Sequence, residues 1–202
     1  MTTPLGPYGP HVDAELTGRL LVATPELGDG TFDRSVVLVL DHDENGALGV
    51  VINRPTPVDI ADVLPTWEPL ACEPGVLFQG GPVALDSALG LAVVPGGDED
   101  VEPPGWRRVV GRLGLVDLDT PPEVLSAEVS RLRIFAGYAG WGPGQLEEEL
   151  TYGAWYVVPA DPGGFFDDAF SATPDQLWRT VLRRQGGDLA MVSTYLDDPS
   201  LN

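Results

Sequence analysis

Short apolar runs separated by glycine, proline and acidic turns dominate the chain. "GRLLVATP" from Gly18 predicts a strand that Pro25 stops. "RSVVLVL" and "ALGVVIN" predict two more strands, flanking the polar stretch "DHDENG". Asn45 and Gly46 both tolerate positive φ, so this pair predicts a hairpin between them. A short helix is expected from Asp59 in "DIADVLPTW". "GVLFQGGPV" and "LGLAVVP" read as short strands around a glycine turn. "RLRIFA", from Arg131, and "AWYVVP" read as strands too.

Two helix starts are marked by their caps. In "TPPEVLSAEVSRL", Thr120 takes the N-cap, Pro121 the first helical position and Glu123 the capping-box position. "TPDQLWRTVLRRQGG" repeats the device with Thr173, Pro174 and Gln176, and Gly186 supplies the stop. Leu177, Trp178, Val181 and Leu182 then share one face of a helix. Strands outnumber helices and neighbour each other directly, which points to α+β rather than a regular βαβ alternation.

Composition narrows the function classes. At 202 residues and 43% hydrophobic content, the chain suits one domain with its own core. Its formal net charge is −20, with 11 basic residues, all of them arginine, against 31 acidic ones. Nucleic-acid binding draws on phosphate neutralisation and needs a basic face. Here the arginines are scattered, with local groups at Arg107–Arg108–Arg112 and Arg179–Arg183–Arg184, so nucleic acid and anionic membrane are both disfavoured as partners. The start "MTTPLGPYGPHVDAEL" lacks the layout of a signal peptide, and no apolar run reaches spanning length; a cytoplasmic location is expected. Residues 1–13 are read as a flexible extension and 14–202 as one domain. The acidic stretch "GGDEDVEPPG" is read as a solvated loop.

Most chemical motifs fail on their own spacing. Asp41, Asp43, Asn45 and Gly46 open like a calcium loop, but Ile52 stands where a bidentate carboxylate is needed, and both flanks read as β. The histidines are His11 and His42, and Cys72 is the single cysteine, so no zinc ligand set of standard spacing and no disulfide within the chain is expected. Cys72 reads as a small, buried or half-buried apolar residue. No serine sits in a nucleophile elbow. No cofactor, metal or catalytic residue is expected.

"GYAGWGPGQLEEEL", from Gly137 to Leu150, is a strand-to-helix turn. A phosphate loop there would need a lysine the chain lacks, and Glu147, Glu148 and Glu149 in the first helical turn would repel the phosphate. Together with the tryptophan of "AWYVV", this stretch resembles the signature of the bacterial YqgE/AlgH family. So do "GRLLVATPELGDGTFDRSVVLVLDHDENGALGVVINRP" (Gly18–Pro55), "QGGPV" (Gln79–Val83) and the terminal "DPSLN" (Asp198–Asn202), in family order. The likeness covers residues 14–202. It implies a single α+β domain whose strongly bent, bifurcated mixed sheet forms a pseudo-barrel flanked by helices. It implies no established catalytic activity. Some members carry the label of a transcriptional regulator, which the net charge opposes as a direct DNA-binding role.

The expectation is therefore a cytoplasmic, non-catalytic binding or regulatory protein acting indirectly through a protein or a small ligand. The alternatives are a DNA-binding regulator or a hydrolase built on paired carboxylates. The expected cleft lies where the turns "INRP", "QGGPV" and "GYAGWGPGQ" converge, with Asn53, Arg54, Gln79, Gly80, Gly81, Tyr138, Trp141 and Gln145 as its contacts.

Overall fold

In a computed structural model, residues 15–28, 30–95, 102–160 and 166–195 are described. The expected N-terminal extension, most of the acidic loop and the terminal "DPSLN" lie outside them. The strands are β1 (Arg19–Ala23), β2 (Val36–Asp43), β3 (Gly46–Val51), β4 (Pro55–Asp59), β5 (Val76–Gln79), β6 (Val83–Val93), β7 (Trp106–Val110), β8 (Leu113–Val116), β9 (Arg131–Trp141) and β10 (Trp155–Pro159). The helices are α1 (Ile60–Val63), α2 (Gln145–Thr151), α3 (Leu177–Gln185) and α4 (Gly187–Val192), with short 3-10 turns between them.

One mixed sheet runs β10-β1-β2-β3-β9-β6-β8-β7, with β4 and β5 as a side branch. Every pairing along the main path is antiparallel, and β5 joins β9 in parallel. One edge of β9 is shared between two partners: Gly49 of β3 pairs with Ala139, and Phe78 of β5 pairs with Phe135. The sheet therefore forks along β9. It also curls into a half-barrel, so that its ends approach: a Cβ on Gly18, just before β1, would lie 2.9 Å from Val110 Cγ1 in β7.

Alternation explains the packing. Leu20, Val22, Val36 and Leu38 face the inside of the curl, where α3 and α4 close it with Leu177, Trp178, Val181, Leu182 and Leu189. Leu21, Ala23, Val37 and Val39 face the other way, against Trp141, Leu146 and Trp155. A third cluster gathers Ile60, Trp67, Trp106, Leu132 and Ile134. In β9, Leu132 and Ile134 face that third cluster while Phe135 faces the inside. Gly137, at φ 69°, interrupts the alternation, so that Tyr138 turns inward and Ala139 and Trp141 turn to the second cluster.

The cap-based helix at Thr120 does not form. Its hydroxyl donates to Asp117 Oδ2 (3.3 Å), Pro121 is extended at ψ 128°, and only a 3-10 turn, Pro122–Val124, follows. The helix expected from Thr173 opens as a 3-10 turn and becomes α-helical at Leu177, with the expected face buried and the stop at Gly186. Two further differences concern strands. The glycine-rich "GYAG" is not loop but the end of the 11-residue β9. The hairpin has Glu44 and Asn45 as its two loop residues, with Gly46 paired to Asp43. Asp43 accepts from the Asn45 backbone N–H (2.7 Å) and amide (3.1 Å), a closed local turn whose bonds hold its carboxyl below the usual range.

Candidate binding site at the fork of the sheet

The turns "INRP" and "QGGPV" meet β9 at the fork. Val51 N–H donates to Gly80 O (2.8 Å), Gly80 N–H donates to Ala136 O (2.8 Å), and Gln79 N–H donates to Arg54 O (2.9 Å). Glycine is required here by contact. A Cβ on Gly80 would overlap the carbonyl of Gly137, and one on Gly81 would overlap the backbone of Tyr138. Gly81 also sits at φ 155°.

Asn53 and Arg54 are spent on the neighbouring loop. Asn53 Oδ1 accepts from Val36 N–H (2.8 Å) and its amide donates to Arg34 O (3.0 Å). Arg54 donates to Asp33 O (3.1 Å) and to Thr31 O. The exposed Gln79 amide and the half-buried Tyr138 phenol have no side-chain hydrogen bond to the described residues. Beside them, β6 leaves the sheet. Val83 pairs with Tyr138, but the next pair is Ala88 with Ala136, so Ala84–Ser87 bulge outward, with Ala84 at φ 51°. Leu85, 55% exposed, caps Gly137, its Cδ2 3.2 Å from where a Cβ would stand there.

Trp141 and Gln145 do not join this group. Tyr138 and Trp141 lie three residues apart on β9 and face different clusters. Trp141 belongs to a closed aromatic set with Phe32 and Trp155, with ring centroids 5.4–6.4 Å apart. Its indole donates to Glu149 Oε2 (2.9 Å), and so does that of Trp155 (2.8 Å). Gln145 accepts from Gly142 N–H (3.0 Å) and donates to Glu149 Oε1 (3.1 Å). Glu149 is thus the hub of the turn. The sequence reading did not single it out, although its spacing of four from Gln145 on a helix was a usable signal.

His42 was likewise missed as a structural residue. Its Nδ1 accepts from Leu16 N–H (3.3 Å), which places the proton on Nε2, donated to Glu147 (2.7 Å). Partial burial pushes the Glu147 carboxyl up, but bonds from His42 and from its own backbone outweigh it, and the carboxyl sits below its ordinary range. Among the described residues, no group of three or more His, Cys, Asp or Glu side chains is placed to hold a metal ion. No helix among them is long and apolar enough to cross a membrane.

The expected combination of forked sheet and glycine turns is present, and comparison with known proteins decides the assignment. The AlgH-like family model matches residues 20–190. The chain belongs to that family. It is 68% identical to a UPF0301 protein of Streptomyces coelicolor, over 94% of this chain and 96% of the relative. It is 45% identical to a UPF0301 protein of Mycobacterium tuberculosis, over 92% and 90%. A crystal structure of a Corynebacterium diphtheriae protein superposes with TM-score 0.77 at 34% identity, covering 89% of this chain and 92% of that one. The solution structure of AlgH from Pseudomonas aeruginosa gives TM-score 0.64 at 28% identity, over 98% and 100%. This AlgH-like domain is accordingly α+β and mostly strand, in one curled sheet.

Proposed function

We propose that this AlgH-like chain is a cytoplasmic, non-catalytic binding or regulatory protein, acting through a protein or a small ligand at the fork of the sheet. The observation that supports it is the Ala84–Ser87 bulge beside the Gly80–Gly81 turn, which leaves Val83 and Leu85 exposed close in the chain to the exposed Gln79. Exposed apolar side chains stand on a strained bulge that follows the turn carrying an exposed amide. Among the described residues, the side chains best placed for acid–base work near the turn, His42, Glu147 and Glu149, are bound to structural partners. His42 is held between Leu16 and Glu147, and Glu149 by two indoles and an amide. Glu147 lies below its ordinary pKa, the wrong direction for a general acid.

The test is capture from a native extract by the wild-type chain and by Leu85→Asp and Gln79→Ala, both exposed positions. The reading expects a protein or metabolite retained by the wild type and lost by both variants. Equal capture by all three, or turnover of generic ester or phosphoester substrates, would overturn it.

A further inference from the structure

Arg133 is 1% exposed, yet no carboxylate among the described residues pairs with it. Arg131 on β9 and Arg184 on α3 fare differently. Arg131 pairs with Asp167, and Arg184 makes two 2.8 Å bonds to Asp168. Between them, Arg133 finds only neutral acceptors. Nη1 donates to Ala169 O (3.1 Å) and Ser171 O (3.0 Å), and Nη2 donates to Glu73 O (2.7 Å). The guanidinium lies over the ring of Phe78, 4.3 Å from its centroid, and Nε is buried without an acceptor.

A guanidinium has five N–H donors, and its Nε–Nη2 edge matches the two oxygens of a carboxylate or phosphate. Here Nη1 is consumed by two carbonyls, whereas the Nε–Nη2 edge keeps its Nε donor free and bonds only Glu73 O. A buried cation held by three carbonyls and one ring face still leaves an orphan donor, and an anion would supply both an acceptor for it and a counter-charge. Glu73, whose carbonyl accepts from Nη2, belongs to the loop 71–75, every residue of which is at least partly exposed. Burial lowers the Arg133 pKa, to about 10 against an opposing charge interaction with Cys72, which leaves it charged at neutral pH.

We propose that the Nε–Nη2 edge of Arg133, between the loop 71–75, the ring of Phe78 and the 169–171 segment, is a binding site for a small oxyanion, a carboxylate or a phosphate. It is separate from the Gln79–Leu85 surface, so its failure leaves the fork reading untouched.

The test follows the arginine side-chain Nε–H signals by NMR in the full chain. Sodium phosphate and sodium acetate are added separately, against sodium chloride at equal ionic strength. The Arg133 signal should move saturably with at least one oxyanion and not with chloride; the arm that responds names the chemistry. Arg133→Gln, if folded, should lose at least about tenfold in affinity. No saturable shift with either oxyanion overturns the site, as does binding that survives in Arg133→Gln. If that variant does not fold, the wild-type titration decides alone.

Discussion

At the residue scale, the strongest statements concern buried donors and close backbones. Glu149 accepts two indole N–H groups at 2.8–2.9 Å. Truncating it strands both donors beside two tryptophans that are nearly fully buried. Glu149→Ala should cost about 2–4 kcal/mol, since each unsatisfied buried donor costs about 1–3. Urea denaturation should show the midpoint falling with the slope unchanged. The sequence made Gln145 and Trp141 visible as contact-makers, but not their common partner. A carboxylate in an acidic run carries no mark of burial. Gly81→Ala should be worse, because the added methyl meets the Tyr138 backbone and nothing nearby is a flexible side-chain end. Soluble, folded yield should collapse. Gly153→Ala meets no atom within 4 Å and bears only its φ of 74°, so it should cost about 1 kcal/mol in the same assay.

At the scale of elements, two ion pairs on one short segment should differ sharply. The 3-10 turn Asp167–Phe170 packs on the inner cluster and is tied by Arg184–Asp168 and Arg131–Asp167. The first pair is bidentate, with side chains 26% and 7% exposed; the second is 39% and 59% exposed. Asp168→Ala should therefore destabilise by about 3 kcal/mol, and Asp167→Ala by about 0.5. Paired thermal melts of the two variants check the contrast.

The link from β2 to α2 is pH-dependent. Glu147 has a depressed folded pKa, so its contribution is present above the unfolded value and is lost as pH falls through the folded one. Wild type and Glu147→Gln should thus differ in melting temperature near neutral pH and converge in acid. Strands such as β1, β2, β3 and β10 were legible because each is an apolar run ended by a turn residue. The helix at Thr120 was misread because a cap motif is local, and the Thr120 hydroxyl is claimed by Asp117 of the preceding turn. Strands β4, β7 and β8 were not read, since "PTPVD" carries two prolines and "WRRVVGRLGLV" mixes charge and glycine into a weak alternation.

For the whole molecule, charge is the property with most reach. A net charge of −20 on 202 residues implies self-repulsion in the compact state. Moderate sodium chloride should raise the melting temperature relative to low salt, by screening. Duplex DNA should give no shift in fluorescence anisotropy at physiological salt.

What the sequence determined by itself was the class of the protein: an acidic α+β chain of strands and glycine turns, with the family blocks in order. These properties are local or additive, and they survive being read one residue at a time. Only the tertiary structure decided where the blocks meet. Gly137 changes the face of everything after it in β9, which turns Tyr138 to the inner cluster and Trp141 to the second. The Gly80–Gly81 backbone lies against β9 at the fork, and Arg133 is buried among carbonyls with no carboxylate partner among the described residues. Each of these depends on contacts between segments far apart in the chain, and pattern and composition do not encode which segments will touch.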